Sequence, residues 1–239
     1  MRQQILGTSL ALVLALSAAQ AGAATVELPL TGLRSGAFIQ NYFNGGTDSV
    51  PTDGIGPSLG FTFSANATAQ SAAAGGTGKV ENNPVPSLGD VLYFASSAST
   101  PAFMNYAGGF NSLSFDYSYS NNAGATGFAY LYSGLNGTGT LLDTITLGPA
   151  TSGISACSSR LDAYCTWQAV STGTFSGVAE SVVFSGVVGG HGATTATPTT
   201  ITEFTGVTIA PVPLPAAVWL MLSGVSGLAA FRRRRTAVA

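Results

Sequence analysis

The stretch FNSLSFDYSYS, residues 110–120, decides the fold. Leu113, Phe115, Tyr117 and Tyr119 alternate with Ser112, Ser114, Asp116, Ser118 and Ser120. A period of two gives an extended strand one apolar face and one wet face. Working outward, TGFAYLYSG (126–134) repeats the pattern, with Phe128, Tyr130 and Tyr132 expected on the core face. TLLDTITLG (140–148) sets Leu141, Asp143, Ile145 and Leu147 against Leu142, Thr144 and Thr146. WQAVSTGTFSG (167–177), ESVVFSG (180–186) and ITEFTGVTI (201–209) continue the series towards the C-terminus. Towards the N-terminus, ATVELPL, AFIQNYF, LGFTFSA, VLYFAS and AFMNYAG are further strand candidates. Roughly ten short strands with Gly, Asn, Pro and Ser between them predict an all-β, single jelly-roll-like β-sandwich. Ser71–Asp90 and Gly189–Thr200 read as long connections.

The sandwich occupies residues 24–210 of a 239-residue chain. Residues 1–23 have the layout of a secretory signal peptide: Arg2, an apolar stretch from Ile5 to Leu16, and an A-x-A site at Ala21 and Ala23. At the other end, Leu214 to Phe231 is an uncharged run of 18 residues. As a helix it would extend roughly 27 Å, close to the hydrocarbon thickness of a bilayer. Arg232, Arg233, Arg234 and Arg235 follow at once and assign the extreme tail to the cytoplasm. The sandwich is thus expected outside the cytoplasm, flanked by an N-terminal signal-peptide helix and a C-terminal transmembrane helix. It holds all ten acidic residues but only Arg34, Lys79 and Arg160 as cations, a formal charge of −7. That balance gives no electrostatic reason to bind nucleic acid.

Cys157 and Cys165 both fall in the exported region. An oxidising compartment favours a disulfide between them; free thiols or half a metal site are the alternatives. A nine-residue loop closed in this way is worth about 2.6 kcal/mol in the chain-entropy picture.

The tail is specific beyond its hydropathy. Val212-Pro213-Leu214-Pro215-Ala216, an apolar run containing Ser223, Gly224, Ser226 and Gly227, and a terminal arginine cluster occur in that order. This layout resembles the PEP-CTERM sorting signals of bacteria, in their VPLPA form. The resemblance implies an exosortase-type sorting protease as partner, with the membrane engaged through the helix. Leu214 stands where the commoner form has glutamate. Physically, Pro213 and Pro215 resist helix and keep the motif extended, as a protease requires. The segments GGFNSLSFDYSYS, YSGLNGTGTLLDTITL and GTFSGVAESVVFSG also resemble the β-sandwich ectodomains that accompany such tails. Those ectodomains often carry an aromatic-Asp pair before the last strand, where this chain has Glu203 and Phe204. The implied localisation is export, anchoring in the inner membrane, then the cell surface or extracellular space.

Catalytic patterns are poorly supplied. The one histidine, His191, lies in the Gly-rich GGHGATT, and no G-x-S-x-G elbow is present. Asp116, Asp143, Asp162, Glu180 and Glu203 are the carboxylates from which a glycosidase pair would have to come. No cofactor is expected. Calcium would draw on the loop residues Asp48, Asp53 and Asp90. Extracellular polysaccharide is a possible ligand, with Trp167 and Tyr164 as contact candidates and Tyr42 and Tyr106 as further ones by position. Asn66-Ala67-Thr68 and Asn136-Gly137-Thr138 match a glycosylation sequon. These readings leave a non-enzymatic exported protein, its ectodomain structural or adhesive, with a carbohydrate-binding module as the alternative.

Overall fold

The computed structural model describes residues 24–70, 90–94, 102–119, 127–148, 167–185 and 202–212. The segment 1–23 read as a signal peptide, both cysteines, Tyr164, and the tail beyond Val212 lie outside these residues. Among the described residues there is no α-helix, and no helix is long and apolar enough to cross a membrane. Ala23–Val212 forms one compact unit.

The described residues of this unit hold nine strands: β1 (Val26–Glu27), β2 (Phe61–Phe63), β3 (Ala67–Gln70), β4 (Val91–Phe94), β5 (Ala102–Tyr119), β6 (Gly127–Tyr132), β7 (Leu141–Leu147), β8 (Trp167–Ser185) and β9 (Thr202–Pro211). All pairings are antiparallel, in the order β3-β4-β9-β5-β8-β6-β7, with β1 on β9 and β2 on β5. The chain is all-β, as its alternation predicts.

Two long strands build the sandwich. AFMNYAG and FNSLSFDYSYS join as β5, and WQAVSTGTFSG and ESVVFSG join as β8. Glycines that read as turn signals are bends instead. Between Asn105 and Phe110 the β5–β8 register shifts, and it shifts again before Ser112 and Ser114. Gly109 at φ 71° lies in this corner, where a β-carbon would run into Val178. Before the corner β5 is flanked by β2 and β8; after it, by β9 and β8. The same two strands thus serve both layers, as in sandwiches whose strands turn from one sheet into the other.

Aromatic rings fill the space between the layers. Phe184 of β8 lies 4.7 Å from Phe204, 5.3 Å from Phe94 and 6.2 Å from Phe115, centroid to centroid. Leu113, Phe115 and Tyr117 are buried, so the deciding stretch faces the core as expected. The side chain of Tyr119 lies outside those described.

The expectation for β6 is corrected by one residue. Gly127, Ala129 and Leu131 face inward, while Phe128, Tyr130 and Tyr132 are half-buried on the opposite face. Ala129 is the register partner of Phe184, whose ring already fills the inner space. Only small or narrow side chains fit opposite it. A second correction concerns AFIQNYF, which forms no strand and contributes a single bridge, Phe38 to Thr68. ATVELPL shortens to the two residues of β1.

Candidate functional site

The outward face of β6 is the candidate site. Phe128 and Tyr130 stand two residues apart on that face, their rings 5.8 Å apart and inclined by 20°. The register fixes their neighbours: Thr146 and Ser185 flank Phe128, and Thr144 and Val183 flank Tyr130. Thr144, Thr146 and Ser185 are exposed, so a stacked aromatic pair lies between rows of hydroxyls. None of these six side chains carries a charge at neutral pH.

A polar clasp closes one end of this face. The turn after β6 contains a short 3-10 segment, Leu135–Gly137, in which Asn136 takes a left-handed conformation at φ 57°. Asparagine tolerates that region better than most residues. Its backbone N–H donates to Asn105 Oδ1 at 2.8 Å, and Asn105 Nδ2 donates back to Asn136 Oδ1 at 2.8 Å. Gly137 N–H donates to Ser181 Oγ at 2.9 Å, and that hydroxyl donates to the Gly134 carbonyl. The Asn136 sequon is therefore tied into the fold by its own acceptor atom. Asn66, in the second sequon, is buried.

A second cluster lies in the loop before β2. Asp48 and Asp53, two of the three calcium candidates, are brought together at the ends of the 48–53 turn. Asp48 Oδ1 accepts the Val50 N–H at 2.9 Å, while its Oδ2 is buried without a hydrogen bond. Asp53 Oδ2 accepts the Arg34 backbone N–H, and its Oδ1 lies 3.2 Å from Arg34 Nε. Burial, and then the Asp53 carboxylate, raise the Asp48 carboxyl above its ordinary range. Asp48 also borders a polar recess of about 250 Å³ with Phe38, Gln40, Asn41, Thr47 and Ser49. Asp90 stands apart from this loop, immediately before β4.

The remaining candidates are dispersed. Trp167 begins β8, half-buried, opposite Ser118. Tyr42 is buried with its ring edge-on to Phe43, and half-buried Tyr106 packs on Phe61. Glu203 is fully buried on β9, between Tyr93 and Ser118 in register. Burial, and then the Glu203 carboxylate, push the Tyr93 hydroxyl up to about 12. Asp116 pairs with Ala169 and Thr205, and Asp143 with Leu131, so the register opposes no two of these carboxylates. The Asp143 side chain accepts the neighbouring Thr144 N–H at 2.8 Å. Of the residues read as a sorting motif, 212–216, only Val212 is described; its N–H donates to the Gly109 carbonyl at 3.1 Å. Sequence reasoning missed Phe128 and Tyr130 as surface residues. The small residues alternating with them, Gly127 and Ala129, were the available signal.

No protein-family model matches the chain, and no curated protein matches it. Among solved structures it is similar to the K2 cleaved adhesin domain of Lys-gingipain, at 9% identity and a TM-score of 0.43, over 78% of this chain and 99% of that one. It is also similar to the K1 cleaved adhesin domain of Lys-gingipain from Porphyromonas gingivalis W83, at 11% identity and a TM-score of 0.39, over 80% and 99% of the two chains.

Proposed function

We propose that this chain is an exported cell-surface domain with an adhesive or structural role in the envelope or its extracellular matrix. It is not a catalyst. It holds neutral polysaccharide on the outward face of β6. The observation that carries this reading is the stacked Phe128–Tyr130 pair between the exposed hydroxyls of Thr144, Thr146 and Ser185. Flat aromatic faces pack against the C–H faces of sugar rings, and flanking hydroxyls exchange hydrogen bonds with sugar hydroxyls. An uncharged face suits an uncharged polymer.

The tail supplies the address in this proposal. Val212 to Ala216 is the motif read by an exosortase-type protease, Leu214 to Phe231 the membrane span, and Arg232 to Arg235 its cytoplasmic stop. The all-antiparallel pairing of the nine described strands supports a jelly-roll winding of the ectodomain.

Affinity electrophoresis through gels containing neutral or acidic polysaccharides tests the ligand. Phe128→Ala and Tyr130→Ala should each abolish retardation by a neutral polymer, and Trp167→Ala should leave it unchanged. The opposite result would return the contact to the Trp167 end of β8. Intact mass of the surface fraction tests the address: a species retaining Arg232 to Arg235 would rule out cleavage at the motif.

A further inference from the structure

We propose that the recess beside Asp48 binds a divalent cation through oxygen ligands, and that calcium is the ion its chemistry fits. The argument begins with an unmatched charge. Between Leu30 and Gly60 the chain has three charged side chains, Arg34, Asp48 and Asp53. Arg34 is engaged by Asp53: its backbone N–H donates to Oδ2 at 3.2 Å, and its Nε lies 3.2 Å from Oδ1. That leaves no cation in the loop for Asp48. Asp48 is 8% exposed, and its Oδ2 is buried without a hydrogen bond. A carboxylate oxygen in that position destabilises the fold unless a positive charge meets it.

The surroundings select the ion. Asp48 is the one buried residue of the recess lining; Gln40, Asn41, Thr47 and Ser49 are exposed around it. Among the described residues nothing hydrogen-bonds to the side chains of Gln40, Asn41 or Thr47, so their oxygens can turn towards the carboxylate. No histidine or cysteine lines the recess, which sets zinc aside. Calcium accepts carboxylate, amide and hydroxyl oxygens together and lets water complete its shell, whereas magnesium demands a tight octahedron. Calcium also approaches oxygen to about 2.3–2.6 Å, closer than a hydrogen-bonded water, and so can seat against an oxygen closed to solvent. The walls are fixed in advance. Ser49 N–H donates to the Phe38 carbonyl at 3.0 Å and Phe38 N–H to Ser49 Oγ at 2.9 Å, which ties 38–41 to 47–49. Gly46 N–H donates to the Asn41 carbonyl at 3.0 Å, and a β-carbon at Gly46 would run into that carbonyl. A site held this way loses little entropy on binding. It shares no residue with the outward face of β6 and does not depend on what that face binds.

Thermal melting of the full-length chain in EDTA, and then with calcium or magnesium in its place, is the test. A dissociation constant on the order of 10⁻⁴–10⁻³ M is expected, the range of extracellular modules. Calcium at roughly 10 mM should then raise the melting temperature by about 3 °C or more. Magnesium should raise it far less. Asp48→Asn should abolish the calcium shift, yet melt above wild type in EDTA at pH 7, where the unmatched charge is only a burden. Gln40→Ala combined with Asn41→Ala changes exposed positions and should leave melting in EDTA as it was. The pair should raise the calcium concentration needed for half the shift by roughly tenfold. No wild-type shift, an equal shift from magnesium, or a calcium shift that survives Asp48→Asn would overturn the proposal. So would an unchanged calcium requirement in the Gln40/Asn41 double variant.

Discussion

Asn105 and Asn136 hold each other by a reciprocal pair of hydrogen bonds, each 2.8 Å long, across the gap between β5 and the turn after β6. Asn105 is 6% exposed, and truncating it strands the Asn136 N–H in a half-buried site. Asn105→Ala should destabilise the fold by about 2 kcal/mol, measured by urea denaturation. Asn136→Gly keeps the left-handed conformation and the backbone donor, losing only the side-chain acceptor. Its loss should be clearly smaller.

Phe184 is the ring that joins the two layers, so Phe184→Ala should be among the costlier single truncations, about 3–5 kcal/mol. Phe128→Ala, on the outward face of β6, should cost far less. Comparing the two chemical-denaturation midpoints tests the one-residue correction to β6. Equal losses would put Phe128 back in the core.

Asp48 gives a pH-dependent prediction. Burial and its carboxylate neighbour raise its pKa in the folded state. The folded protein therefore holds this proton more tightly than the unfolded chain does. Its favourable contribution is present at low pH and is lost as pH rises through the raised pKa. Asp48→Asn keeps the acceptor for Val50 and can donate to Asp53. The variant should melt higher than wild type at pH 7, with the difference shrinking as pH falls towards the ordinary carboxylate range.

Tyr93 makes the corresponding prediction at alkaline pH. Its hydroxyl titrates near 12 in the fold, against 10.0 ordinarily. Between those values the unfolded chain loses the proton first, so stability falls with rising pH. Thermal melting of Tyr93→Phe should show a shallower decline across pH 10 to 12. Identical slopes for the two proteins would mean that Tyr93 carries none of the effect.

The alternation at 110–120 was enough to specify an all-β chain, because a strand with one apolar face must bury it against another layer. Which face of β6 is buried was not legible. GFAYLY alternates in either phase, and the choice was made by Phe184, more than fifty residues further on. Glycine was misread for a similar reason: Gly108 and Gly109 mark a bend within β5, and only the shifted register against β8 distinguishes a bend from a turn. The site suffered most. Residue type and loop position selected Asp48 and Asp53, which do converge. Trp167 and Tyr106 were selected by position alone, and the fold leaves them apart.

β9 is the last described strand before the tail proposed as a sorting signal, and it is an inner strand, with β5 along one side and β4 and β1 along the other. Tension on an anchored tail would enter at Pro211 and run along the axis of β9. Its hydrogen bonds to three neighbours would be loaded together in shear, instead of being peeled apart one at a time. Under the proposed anchoring, drag on a polymer held by the domain would be borne by the middle of the sheet.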